Sequence, residues 1–191
     1  MSGGVAVVVL LGALALLIVL LAVAVAVTYN RLVRLRNKVA TAWSGIDVQL
    51  VRRAELVPNL VETVRAASAY EREVLESVTA ARAALVAARG PAASGRADDD
   101  LERALGRLWA VAEAYPALRA SENFRHLQEE LSRLEEDISF ARRYYNGSVE
   151  QFNNAQQQFP TTLIAGALGF HPAEFFKADA EARRAPRAEL S

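Results

Sequence analysis

Residues 5–27 read VAVVVLLGALALLIVLLAVAVAV, a run without one charged or strongly polar side chain. As an α-helix such a run is about 35 Å long, enough to cross a hydrocarbon core of about 30 Å with slight tilt. A core helix of a water-soluble domain needs a polar face before it reaches this length, so the run is read as a transmembrane helix. A cleaved secretory signal is the alternative, because Ala22, Ala24 and Ala26 offer small residues in an A-x-A-like spacing. Against it, the preceding MSGG has no positive side chain, and the run exceeds the roughly 7–15 apolar residues usual in a signal. A retained anchor is expected.

The flanks set the expected orientation. No Lys or Arg precedes the run, whereas Arg31, Arg34, Arg36 and Lys38 all come before the first acid, Asp47. By the positive-inside rule this predicts a single-pass protein with its N-terminus outside and its bulk in the cytoplasm. Tyr29 falls where an interfacial aromatic belongs. The four cations also suit anionic lipid headgroups, at about 1 kcal/mol each when close to the surface. Fixing the topology is the simpler role for them.

Composition narrows the chemistry of the rest. The chain of 191 residues has 22 basic and 22 acidic side chains, all of them beyond residue 30, with two histidines and no cysteine. Disulfides, thiolate zinc sites, iron–sulfur clusters and cysteine nucleophiles are excluded, and a balanced charge gives no global pull toward nucleic acid. Neither a Gly-rich loop after a strand nor a G-x-x-x-x-G-K-[ST] motif occurs. No enzyme activity, cofactor or nucleic-acid partner is expected.

Beyond the run, apolar residues recur at helical spacing and no period-two stretch interrupts them. The stripe passes through Leu32, Leu35, Val39, Trp43, Ile46, Leu50 and Val57, then Leu60, Val64, Val74, Val78, Ala81 and Leu85. Pro58 is expected to kink or restart the helix, since proline removes a backbone donor and clashes with the preceding turn. RGPAASGRAD, residues 89–98, reads as the clearest loop, and Asp99 with Glu102 as a capping box opening the next helix. Leu101, Leu105, Leu108 and Tyr115 continue to a break at Pro116. Phe124, Leu127, Leu131, Leu134, Ile138, Ala141 and Tyr145 then alternate steps of three and four, as a packed seam requires. Phe159-Pro160 ends this helix, and the apolar residues 161–176 read as a return segment over an end of the bundle. The fold class expected is all-α: an N-terminal transmembrane helix followed by an elongated antiparallel three- or four-helix bundle. Residues 1–28 form the extracytoplasmic end and span, 29–177 the bundle, and 178–191 a charged, Pro-containing tail expected to be disordered.

Several of these residues also recur as a set. Tyr29-Asn30, Trp43 with Asp47 and Gln49, Arg52-Arg53 with Leu56-Val57-Pro58-Asn59-Leu60, Tyr115-Pro116, Arg143 with Tyr145-Asn146, Phe159-Pro160 and Gly169-Phe170 stand in an order and spacing that resembles the LemA family. The resemblance covers residues 29–64 and 115–170 together with the span. Gly147, where similar proteins tend to carry alanine, and Phe152, where they often have tyrosine, are small departures compatible with the same helix. The resemblance implies a bacterial cytoplasmic-membrane protein with a helical bundle and imports no enzyme activity, with one branch of the family linked to membrane remodelling around magnetosomes.

The chemistry-bearing candidates are few. His126 shares a helix face with Glu122 and Glu130 and offers a metal or a metal-dependent active site, against the plainer reading of a solvated surface. Carboxylate-bridged di-metal bundles need a Glu-x-x-His pair on each of two helices, and here Asn123 and Leu168 stand three residues before the histidines. The amide run Asn153, Asn154, Gln156, Gln157 and Gln158 reads as mainly solvent-facing. Trp43, Asp47, Arg53, Pro58, Tyr115, Tyr145 and Asn146 are expected to form a buried polar cluster where the two proline breaks meet, pinning the register of the bundle rather than binding a ligand. The whole reads as a membrane-anchored scaffold or adaptor, held by the bilayer through residues 5–27. Small residues in the span permit a homo-oligomer, and the sequence does not name the protein partner. A ligand-, lipid- or metal-responsive sensor is the alternative.

Overall fold

The computed structural model of the chain describes residues 2–67 and 71–176. It is all-α, with no strand among the described residues. Its helices are α1 (Ser2–Ala67), α2 (Arg72–Ala87), α3 (Pro91–Ala112), α4 (Pro116–Arg119) and α5 (Glu122–Gln157), followed by a 3-10 turn at Thr161–Leu163. The tail expected to be disordered lies outside the described residues.

The apolar run is the N-terminal part of α1, and the rest of the chain leaves it bare. No residue of its most apolar window is buried, at a mean hydropathy of 3.3. The same helix then becomes amphipathic without a break, so that Leu32, Ile46, Leu50, Val57 and Leu60 are buried while Arg31, Arg34 and Arg52 stay exposed. A surface that favours lipid is thus joined covalently to one that favours a protein core.

The chain divides into two compact units. The first combines the chain up to Ala40 with Ser148–Ala173, and the second combines Thr41–Gly147 with the segment from Glu174. In the second unit α1 and α5 run antiparallel, because Thr63 meets Asn123, Arg53 meets Glu135 and Trp43 meets Tyr145. The α2–α3 connection is only Ala88–Gly90, so these two helices fold back as a hairpin. Gly90 takes φ 79, a left-handed conformation that costs glycine little, and Pro91 follows in the first turn of α3, where its missing N–H has no intrahelical use. The stripe expected from periodicity is the core: Val64, Val78, Leu101, Leu108, Phe124, Leu131 and Ile138 are all buried. Trp109 and Phe124 pack edge-on at 5.5 Å across the short α4 connection, which begins at Pro116 as expected.

Two expectations need correction. The loop expected at 89–98 is confined to Ala88–Gly90, since α3 begins at Pro91, and Asp99 with Glu102 lies inside the helix rather than capping it. Ser94, Gly95 and Ala97 are buried within α3, so residues that read as breakers are small side chains at a helix contact. Of the two outcomes expected at Pro58, a kink or a restart, the restart does not occur, because α1 continues to Ala67 before α2 opens at Arg72. The return segment lies along the C-terminal part of α5, as its contacts below show.

Pro58 is tolerated for a tertiary reason. It has no N–H to give the Ala54 carbonyl one turn back, and Arg82 of α2 supplies the missing donor, its Nε bonding to Ala54 O at 2.8 Å. Arg82→Leu is therefore expected to cost about 1–2 kcal/mol in the parent chain by orphaning that carbonyl. In a Pro58→Ala background the helix satisfies the carbonyl itself, and the same substitution should cost clearly less. Chemical unfolding of the four chains checks this, and equal costs in both backgrounds would remove the compensation.

Candidate functional site

The second unit holds a buried ionic triad. Arg53 projects from α1, Asp98 from α3 and Glu135 from α5, with Arg53 Nη1 at 2.8 Å from Asp98 Oδ1 and 2.9 Å from Glu135 Oε2. Side-chain exposures of 5% for Arg53 and 7% for Asp98 close these two to solvent, whereas Glu135 reaches water at 39%. Arg53 Nε has no hydrogen-bond partner, and the Glu135 oxygen lies close to the guanidinium without a directed hydrogen bond. Asp98 is pushed up to about 6, first by burial, with Arg53 opposing and Glu135 and Asp99 adding to the rise. The burial of the carboxylate thus outweighs its counterion.

A second constellation in the same unit is aromatic. Trp43 packs edge-on against Tyr145 at 5.9 Å and lies 6.2 Å from Phe176. Tyr145 is 2% exposed and its hydroxyl donates to the Glu174 carbonyl at 2.7 Å. Burial, with a smaller contribution from the Glu174 charge, pushes this phenol up to about 12. Beside it the Phe176 N–H donates to Asn146 Oδ1 at 3.0 Å. An extended segment with no ladder partner is thereby held by side chains of α5, which satisfy backbone groups that no strand is present to satisfy.

The first unit repeats the device with other amides. Asn153 both accepts from the Ala173 N–H at 2.8 Å and donates to the Ala173 carbonyl at 3.0 Å, and Gln156 donates to the His171 carbonyl at 3.5 Å. Phe170 sits between Tyr29 at 5.6 Å and Phe152 at 6.4 Å, with the Arg36 guanidinium 5.4 Å from its ring centre. Lys38 Nζ donates to Gln151 Oε1 at 2.9 Å. Arg31 and Arg34 remain exposed.

The seven residues of the expected polar cluster are distributed over several places. Trp43, Tyr145 and Asn146 come together around the return segment. Arg53 belongs to the ionic triad, about 15 Å further along α1 at 1.5 Å per residue. Tyr115 bonds Glu71 at 3.3 Å, and Pro58 is exposed on α1. Asp47 is also exposed, on the wall of an open cavity of about 390 Å³ that Arg82, Arg89 and Ser94 help to line. His126 stands 63% exposed with Nδ1 at 3.6 Å from Glu130, and no group of three His, Asp or Glu side chains converges among the described residues. The sequence did not single out Asp98 and Glu135, and Asn153 and Gln156, which read as mainly solvent-facing, instead bond the return segment. Their signal was spacing, because with Asn146, which was expected inside, they stand seven and three apart on one helix face.

Comparison with known proteins places this geometry among relatives. A family model described as the LemA family matches residues 42–189. The magnetosome protein MamQ of Magnetospirillum gryphiswaldense is 26% identical over 174 residues, covering 78% of this chain and 64% of the relative. Magnetosome protein MamQ 2 of Paramagnetospirillum magneticum is 27% identical with the same coverage, and the protein LemA of Metamycoplasma hominis is 27% identical over 153 residues, 78% of this chain and 68% of its own. The chain thus spans slightly less than two thirds of the length of the MamQ relatives.

Proposed function

The chain belongs to the LemA family, and on that premise we propose that it is a membrane-anchored helical scaffold or adaptor, with its bundle in the cytoplasm, that works through protein contacts and self-association. One observation carries the reading. In α1 a lipid-compatible surface with no residue buried continues as the same helix into a protein core, so whatever the bundle holds is held at a membrane. Relatives named magnetosome proteins support a role in membrane organisation. In this reading the Arg53 triad and the amide-held return segment each set the register of the helices they join. The cations from Arg31 to Lys38 support the cytoplasmic orientation.

The test uses the full chain with two readouts. Light scattering in a mild detergent is expected to return a discrete multimer, and a monomer at all concentrations would remove self-association. In intact cells a Ser132→Cys chain, whose new thiol is its sole cysteine, should resist a membrane-impermeant maleimide until the cells are opened. Labelling from outside would reverse the orientation.

A further inference from the structure

We infer that the turn after α5, residues 158–169, is a second membrane contact that sets Phe159 and Leu163 into the headgroup boundary of an anionic bilayer beside the span. The inference rests on the reading of residues 5–27 as a retained span and adds a partner surface to it. Phe159 at 81% and Leu163 at 71% are the most exposed large apolar side chains among the described residues, more so than any in the span itself. Side chains of this size standing in water mark a contact surface.

The first unit alone fixes where this turn lies. Gln151 of α5 meets Lys38, whereas five residues on Gln156 meets His171, whose neighbour Phe170 stacks on Tyr29. Advancing along α5 therefore means going back along α1 toward the apolar run, which ends two residues before Tyr29. The chain leaves α5 at Gln157 and returns at Phe170, and the turn between them lies on the side of that contact that faces the span.

Charge and backbone agree with lipid as the occupant. Residues 151–170 contain no Asp, Glu, Lys or Arg. The first unit carries Arg31, Arg34, Arg36 and Lys38 against the single acid Glu150, a balance that favours an anionic surface. The turn also closes many of its own polar groups: the Leu163 N–H bonds Pro160 O, the Ala165 N–H bonds Thr161 O and the Phe170 N–H bonds Ala165 O, at 2.9 to 3.1 Å. Backbone satisfied in this way enters the low-polarity boundary at smaller cost than an open loop.

The absence of native cysteine makes the test direct. Single cysteines at Thr162, at Leu14 in the span and at Ser132 on α5 are labelled with an environment-sensitive fluorophore, each in the full chain reconstituted into phosphatidylcholine–phosphatidylglycerol vesicles. The Thr162 probe should lose more than half its emission to lipids carrying a nitroxide near the headgroup and resist iodide, while the Ser132 probe does the reverse. Adding Phe159→Ser and Leu163→Ser, both at exposed positions, should return the Thr162 probe to iodide. A Thr162 probe open to iodide, or shielded from both quenchers as under a protein partner, overturns the inference, as does a double variant that changes nothing. A Leu14 probe untouched by lipid carrying its nitroxide deep in the acyl chain would instead bring down the anchor itself.

Discussion

Arg53→Met is expected to destabilise the second unit by about 3–5 kcal/mol, the usual cost of removing one member of a buried ion pair. Arg53 is the cation shared by Asp98 and Glu135. Without it two acids from different helices face each other across the core, and Asp98 either pays the desolvation cost uncompensated or takes up a proton. The methionine fills much of the arginine stem's volume, so the loss reports on charge rather than on a cavity. A second variant makes the argument specific. Arg53→Met with Asp98→Asn removes the stranded charge along with its partner and should recover a large part of the loss, which independent sites would not do. The measurement is urea unfolding of the full chain in detergent, followed by helical circular dichroism. A cost below about 1 kcal/mol, as for an exposed pair, would mean that the triad does not hold the three helices together.

That triad also shows where sequence reasoning stops. Periodicity located the core well, because burying a helix face imposes its spacing on every turn: Leu101, Leu105, Leu108, Leu127, Leu131 and Ile138 were expected inside and are buried. The long apolar helix was legible for the same reason, one environment imposing a composition over many residues. Residues 91–98 misled because their signals are local while their context is tertiary. Ser94 and Gly95 are as useful at a close helix contact as in a turn, and nothing in ELVPNL reveals that Arg82, twenty-eight residues beyond Ala54, waits for the carbonyl that Pro58 orphans. Asp98 stands in a run of three acids, and nothing in that run marks which of them is buried. Only the register between α1, α3 and α5 shows that one of the three points inward, and a single sequence does not contain that register.

Asp98 gives the bundle a pH dependence whose sign is fixed by the geometry. Its carboxyl is pushed up to about 6 from 3.8, first by burial. The folded chain therefore binds this proton more tightly than the unfolded chain, and unfolding at a pH between the two values releases it. The stability contributed by protonated Asp98 is fully present below 3.8 and is lost as the pH rises through about 6. The size is about 3 kcal/mol across that window, from 1.36 kcal/mol per pH unit. Other carboxyls titrate in the same range, so the isolating quantity is the parent chain minus Asp98→Asn, followed by urea midpoint from pH 7 to pH 4.5. The parent should gain on the variant as the pH falls, and at pH 7 the variant should be at least as stable, since a neutral amide escapes the cost of burying a charge. Arg53→Met should then be less harmful at pH 5 than at pH 7, because a protonated Asp98 no longer needs its counterion. A parent-minus-variant difference that stays flat would mean that Arg53 just balances burial, and one that falls on acidification would mean that Arg53 outweighs it and that the carboxylate is the favoured form in the core.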